Sequence, residues 1–339
     1  MKTYIEKIVN KEDLTVDEAY EVMNSIMSGE VNNSHLAGLL IALKAKGESA
    51  SEIAGFAKAM REKSLKVETD TANLIDVCGT GGDDSGTFNI STAAAFVVAG
   101  AGVRVAKHGN KSISSRSGSA DVLTELGVAI DLSPAKTKEA LEKIGISFLF
   151  APYYHPAMKY AAVVRKELGM KTAFNVLGPL TNPAGTRKQL IGVYNNHSAR
   201  LMAEAAALLE MDRVCFICTG NRRDEITLDD LTEVNEFNAG HEVRRYNLSN
   251  KDFGYDAINI SRIKGDSPGF NAKVILHLLR DKIVNEAYHV VMANSALALY
   301  CAGVSDDLKV CLEAAEQSLQ SGNAYEKLLE LKYFGEQAS

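Results

Sequence analysis

Between an apolar run at 74–78 and an alanine-rich stretch, the chain reads Asp76-Val77-Cys78-Gly79-Thr80-Gly81-Gly82-Asp83-Asp84-Ser85-Gly86-Thr87-Phe88-Asn89-Ile90-Ser91-Thr92. A glycine-rich turn from strand to helix lets backbone N–H groups converge on one point. The helix that follows adds unpaired N–H groups and the positive end of its dipole. The natural guest is a phosphate, with the Ser91 and Thr92 hydroxyls beside it. Thr87-Phe88 stands where a Walker A loop needs Lys-Ser/Thr, and Asp84 replaces the third glycine of a dinucleotide fingerprint, which demotes ATP and NAD. Asp83 and Asp84 repel a bare phosphate, so the ligand also presents hydroxyls, or a metal bridges acid and phosphate; a sugar phosphate satisfies both. A ligand-free turn closing a βα unit is the plain alternative.

A second cluster, Lys107-His108-Gly109-Asn110-Lys111-Ser112-Ile113-Ser114-Ser115-Arg116-Ser117-Gly118-Ser119-Ala120-Asp121, puts three cations and five serines between Lys107 and Ser119. In an acidic chain this local positive excess suits an anion better than it suits a solvated face. His108 can shuttle a proton or simply order the loop. Third, Asp224-Glu225 follows a predicted strand at the edge where α/β sheets bind ligands. Two carboxylates suit Mg²⁺ when water and substrate phosphates complete the shell, which requires the glycine loop nearby. Asp229-Asp230 reads as a solvated acidic pair.

Helical signals fill the first seventy residues. Thr15-x-x-Glu18 is a capping box ahead of Ala19, Val22, Met23 and Ile26, with Gly29 as the stop. Asn33 or Ser34 caps a second helix through Leu36, Leu39, Leu40 and Leu43, ended by Gly47; Ser49-x-x-Glu52 opens a third through Ile53, Phe56 and Met60. Beyond residue 70, short apolar runs at 74–78, 103–107, 146–150, 190–194 and 214–219 alternate with helical segments, one of them capped by Ser133-Pro134 and stopped by Gly145. That alternation predicts an α/β fold with a mostly parallel sheet. Tyr246, Phe253 and Tyr255 suggest further strands in a poorly periodic stretch. The expected division is 1–70 helical and 71–339 α/β.

The chain has 339 residues, 46% hydrophobic and 24% charged, a globular composition long enough for two domains. Its 37 basic and 43 acidic residues give a net charge of −6, which argues against broad binding to nucleic acid. Five scattered cysteines and an amino terminus without an apolar signal core point to the reducing cytoplasm. The apolar stretch at 93–103 is about half the ~20 residues a membrane span needs. Cys215-x-x-Cys218 lacks a second cysteine pair and lies on a predicted strand, where the two side chains face opposite ways; both read as structural.

Gly79-Thr80-Gly81-Gly82-Asp83, Asn89-Ile90-Ser91-Thr92, Lys107-His108-Gly109-Asn110, Ser117-Gly118-Ser119-Ala120-Asp121 and Asn175-Val176-Leu177-Gly178-Pro179-Leu180-Thr181-Asn182-Pro183, in this order and spacing, closely resemble the anthranilate phosphoribosyltransferases across nearly the whole chain. The resemblance implies transfer of phosphoribose from 5-phosphoribosyl 1-pyrophosphate (PRPP) to the amine of anthranilate, with pyrophosphate released. It implies that Gly79, Gly82, Asp83, Thr87, Asn89, Ile90, Ser91, Thr92, the segment Lys107 to Ser115 and Ser119 contact PRPP. By the same resemblance, Ser91, Asp224 and Glu225 hold two Mg²⁺ ions, and Gly79, Asn110 and Arg165 meet anthranilate, Arg165 pairing with its carboxylate. No obligate general base is implied, since the neutral aromatic amine attacks directly; His108 is secondary. The implied fold joins a small helical domain, completed by helices near 156–169, to a larger α/β domain, and such chains pair as homodimers through the helical domain.

Two departures stand out: Asn221-Arg222-Arg223 precedes Asp224 where glycine and acidic residues are usual, and Phe270 precedes Asn271 where Glu is common. They bear on the loop beside the metals. A pyrimidine nucleoside phosphorylase and a nucleic-acid-binding relative are the rival readings.

Overall fold

The computed structural model describes residues 1–83, 85–112 and 116–338; Asp84, Ile113, Ser114 and Ser115, singled out above, lie outside them. Four helices open the chain: α1 (Lys2–Val9), α2 (Val16–Met27), α3 (Asn33–Lys46) and α4 (Ala50–Glu62). Thr15 and Glu18 form the expected reciprocal cap, the Glu18 amide donating to Thr15 Oγ1 at 3.2 Å and the Thr15 amide to Glu18 Oε2 at 2.8 Å; such a cap contributes ~1 kcal/mol. Ser49 and Glu52 repeat it on α4. The cap of α3 is Asn32, one residue before the expected pair, because its Oδ1 is the oxygen that reaches the His35 amide, at 2.9 Å. Nothing in the sequence reading anticipated α1. Gly55 lets α4 press against α2, since a Cβ there would lie 2.3 Å from the Val16 carbonyl.

The rest alternates: β1 (Leu74–Gly79), α5 (Ile90–Gly100), β2 (Arg104–Gly109), α6 (Ser119–Glu125), α7 (Pro134–Lys143), β3 (Ile146–Phe150), α8 (Ala151–Tyr154), α9 (Lys159–Leu168), α10 (Phe174–Leu177), β4 (Lys188–Gly192), α11 (Asn196–Ala206) and β5 (Arg213–Thr219). Then come β6 (Thr232–Asn238), β7 (Arg244–Leu248), α12 (Pro268–Leu279), α13 (Glu286–Ala302), α14 (Leu308–Ser321) and α15 (Asn323–Ala338). The strands form one sheet in the order β3-β2-β1-β4-β5-β6-β7, parallel from β3 to β5 and antiparallel beyond. Tyr246 lies in β7 as expected, but Phe253 closes a short 3-10 turn and Tyr255 follows it. Ser249 and Asp252 cap that turn and Gly254, at φ +72°, ends it, so the aromatic run never extends into a strand.

Two apolar cores flank the sheet. One packs α5 and the buried α13 on one face. The other runs from Val22, Leu39 and Phe56 in the helical bundle, through Ala161 and Val164 of α9 and Met202 of α11, to Cys78, Ile191 and Phe216 on the opposite face. Apolar area buried this way is worth about 25 cal/mol per Å². All five cysteines are free and buried, and Cys215 and Cys218 both sit on β5. Among the described residues, no helix is long and apolar enough to cross a membrane.

Candidate active site

The three clusters meet at the carboxyl ends of the parallel strands. Asp224 Oδ2 accepts the Gly81 amide at 3.0 Å, while Glu225 accepts the Ser91 amide on Oε1 at 3.2 Å and the Thr87 hydroxyl on Oε2 at 3.0 Å. Glu225 therefore lies against the amino-terminal turn of α5, where unpaired N–H groups favour negative charge. The two acids reach the glycine loop because the chain reverses after β5: Thr219 and Arg223 exchange backbone hydrogen bonds at 2.9 and 3.0 Å, and Thr219 Oγ1 donates to the Glu225 carbonyl at 2.6 Å. Close approach explains two glycines. A Cβ on Gly79 would lie 2.7 Å from Asp224 Oδ2, and one on Gly192 only 1.5 Å from the Asp224 carbonyl.

The unusual arginines do not enter this cluster. Arg223 is buried and pairs with both oxygens of Asp229 at 2.7 Å, while Arg222 is exposed. Asp229 is thus the part-buried partner of a buried guanidinium, not the solvated acid expected. A carboxylate that neutralises a desolvated guanidinium is held against the loop, because its loss would leave the buried charge uncompensated.

Asp83, Asp224 and Glu225 lie within electrostatic reach of one another. Enclosure by protein, followed by the charge of Asp83, pushes the Asp224 carboxyl up to about 8. Enclosure and the charges of Asp224 and Asp83 raise Glu225 as well. Asp83 Oδ2 is buried with no donor. This excess of negative charge fits a divalent cation. Two or three carboxylates are a set that Mg²⁺ accepts, since it keeps water and borrows phosphate oxygens to complete its shell.

From the other side comes the end of β2. Lys107 is buried, its Nζ donating to the Val77 carbonyl at 2.6 Å and to Ser91 Oγ at 3.3 Å, so it supports the glycine loop from beneath. Gly109 has no room for a side chain: a Cβ would lie 2.3 Å from Ser119 Oγ. Ser119 opens α6 and donates to the Asn110 carbonyl at 3.3 Å, and Asp121 accepts the Ser112 and Gly118 amides, both at 2.9 Å, folding the serine loop back on β2. Asn110 is exposed and folds its Oδ1 onto the Lys111 amide at 2.7 Å. Asn89 is fixed by Asn271, whose Nδ2 donates to Asn89 Oδ1 at 2.9 Å. Gly82 and Asp83 lie in the loop itself; Ile90 and Thr92 are buried in the first turn of α5, with Thr92 Oγ1 unpartnered.

His108 stacks obliquely on His155, ring centroids 5.2 Å apart. Burial, then the other imidazole, drives His108 down to about 3, and burial with Lys66 nearby drives His155 to about 4. Both rings are neutral, each with a buried, unpartnered Nε2. Arg165, on the last turn of α9, is half-buried over the Phe174 ring at 5.1 Å, and among the described residues no carboxylate pairs with it. Sequence reading passed over His155 and Lys171. The Lys171 Nζ donates to the Gly82 carbonyl and lies 4.1 Å above the Tyr194 ring, linking the segment after α9 to the glycine loop. Neither stands in a motif, so only the folded geometry reveals them.

Residues 2–64 match the helical bundle domain, and residues 71–325 the a/b domain, of a glycosyl transferase family, which sets the class. The chain is 43% identical over 335 residues to the anthranilate phosphoribosyltransferase of Persephonella marina, covering 98% of each chain. It is 46% identical over 327 residues to that of a Thermoanaerobacter species, covering 96% of each. The chain belongs to the anthranilate phosphoribosyltransferase family. Among solved structures, it superposes on the Thermus thermophilus enzyme with a TM-score of 0.92 at 40% identity, covering 98% of this chain and 99% of that one. With the Saccharomyces cerevisiae enzyme in complex with PRPP and Mg the TM-score is 0.90 at 27% identity, covering 99% and 97%.

Proposed function

We propose that the chain transfers phosphoribose from PRPP to anthranilate in tryptophan biosynthesis, giving N-(5-phosphoribosyl)anthranilate and pyrophosphate. The observation that carries this reading is the convergence of Gly81 and Ser91 amides, the Asp224 and Glu225 carboxylates and the end of β2 on one cleft edge. The bond from ribose C1 to pyrophosphate oxygen breaks as the amine nitrogen bonds to C1. Positive charge develops on the sugar and negative charge on the leaving group, so alignment and charge compensation supply most of the catalysis.

Gly79, Gly82, Asp83, Thr87, Asn89, Ile90, Ser91, Thr92, the segment 107–115 and Ser119 hold PRPP. Two Mg²⁺ ions at Ser91, Asp224 and Glu225, when bound, supply the charge that balances the departing pyrophosphate. Gly79, Asn110 and Arg165 orient anthranilate, Arg165 by a forked contact with the carboxylate. The amine nitrogen loses its proton after attack, and anthranilate's own carboxylate is the nearest acceptor in the substrate. His108, neutral and with a conjugate acid near 3, is too weak a base to be required.

The division into a 1–70 helical domain, completed around 155–170, and a 71–339 α/β domain places Arg165 on the helical side and the phosphate loops opposite, so closure excludes water. Pairing of two copies through the helical domain is supported by Ile41 on α3 and Tyr160 and Val163 on α9, which are exposed at 42%, 42% and 52%. The cytoplasm is the proposed location. The test is loss of anthranilate fluorescence on adding PRPP with Mg²⁺, repeated with excess chelator. A Mg²⁺-dependent decay is expected; no decay from folded protein overturns the reading.

A further inference from the structure

β1 and β2 pair only at Leu74↔Arg104 and Ile75↔Val105, although β1 stays paired with β4 to Gly79↔Gly192 and β2 with β3 to Gly109↔Phe150. The backbone ladder between the two strands that carry the phosphate loops therefore ends at residue 75, while the strands continue side by side. Backbone groups beyond the last ladder pair must find other partners or bear the cost of burial. A few side chains supply them. The Asp76 carboxylate, wholly buried, accepts the His108 amide on Oδ1 at 3.1 Å and the Asn182 and Gln189 side-chain amides on Oδ2 at 2.8 and 3.3 Å. Asn182 Nδ2 donates also to the Ala106 carbonyl at 2.8 Å, and Gln189 Nε2 to the Pro179 carbonyl at 2.8 Å.

We infer that Asp76 is a positioning residue: its buried carboxylate ties β2 to β1 where their backbone ladder ends and presents His108, Gly109 and Asn110 to the reacting substrates. This rests on the function proposed above. The carboxylate acts on His108 from two directions. It takes the backbone amide directly, and through Asn182 and Gln189 it fixes the segment 178–183, whose Gly178 carbonyl faces the His108 ring. A carboxylate suits the place because Oδ1 and Oδ2 serve donors from three separate elements, β2, β4 and the loop before β4, and because the buried Lys107 ammonium is a neighbouring countercharge. An amide offers one acceptor oxygen and two unwanted donors.

The test compares Asp76→Asn and Asn182→Ala with the full-length parent. Readouts are steady-state kinetics by the fluorescence assay, hydrogen exchange at the His108 amide and circular dichroism. Expected for Asp76→Asn is a native spectrum, a fall of about tenfold or more in kcat/KM for anthranilate, and loss of protection at the His108 amide. If Asp76→Asn does not fold, Asn182→Ala decides, with a smaller fall of about threefold or more in the same constant and partial deprotection of the same amide. A lower Tm, with kinetics within about twofold of the parent and the amide still protected in the folded variant, overturns the inference. If the parent itself is inactive, the functional reading fails while the His108 exchange result still tests the hold of Asp76 on β2.

Discussion

Gly81 and Asp224, 143 residues apart in sequence, are joined by one hydrogen bond of 3.0 Å from the glycine amide to a carboxylate oxygen. The same oxygen bars a side chain from Gly79, so one carboxylate sets the shape of the glycine loop and belongs to the proposed metal site.

Gly79→Ala should therefore act through the metal. The added Cβ at 2.7 Å from Asp224 Oδ2 forces that carboxylate aside. The Mg²⁺ concentration for half-maximal rate should rise by about tenfold, with a stability loss of ~1–2 kcal/mol. Mg²⁺ titration of the rate, alongside a thermal melt, checks it; an unchanged Mg²⁺ dependence contradicts the role of Asp224.

Glu225→Gln should cost far more than His108→Ala. Glu225 lies against the first turn of α5 and adds to the charge that favours a cation, whereas His108 is a neutral ring. Expected losses in kcat are on the order of a hundredfold and tenfold or less, respectively. Equal losses would point to proton transfer by the imidazole.

The buried imidazoles make acid destabilising. His108 falls from the ordinary 6.5 to about 3, and His155 to about 4. The unfolded chain thus binds protons that the folded chain refuses, and stability is lost as pH drops below about 6.5. Thermal melts between pH 7.5 and pH 5, a range of about 2.5 units, should show a shallower decline in Tm for His108→Gln than for the parent. A parallel decline means that the ring is already solvated.

Arg165→Ala and Lys171→Met should separate the two substrates. Arg165 has a stacked ring beneath it and no acidic partner among the described residues, so its loss should raise KM for anthranilate by about tenfold and KM for PRPP by less than about threefold. Lys171 holds the Gly82 carbonyl, so its loss should raise KM for PRPP by about threefold to tenfold and leave anthranilate nearly unaffected. Initial rates over a grid of both substrates decide; a reversed pattern rejects both assignments.

Much of this site was legible in the sequence because its parts are contiguous. Glycines 79 to 86 mark a loop that needs backbone freedom, with Gly81, Gly82 and Gly86 at positive φ, and Ser49 and Thr15 announce helix starts by side-chain chemistry that acts within four residues. What stayed hidden is long-range. The pairing of Arg223 with Asp229 turns on which way the loop between β5 and β6 folds, and spacing is silent about that. Asp76, His155 and Lys171 owe their surroundings to strands and loops brought together by the sheet. The Phe253 and Tyr255 run misled because aromatic content resembles a strand, whereas the caps at Ser249 and Gly254 impose a turn.

The second apolar core crosses from Phe56 in the helical bundle to Phe216 beneath the sheet without a break. Cooperativity follows from that continuity: neither part can melt while leaving its share of the core dry. A heat-capacity scan of the whole chain should accordingly record a single endotherm, and an isolated fragment ending near residue 70 should be loose and prone to aggregate.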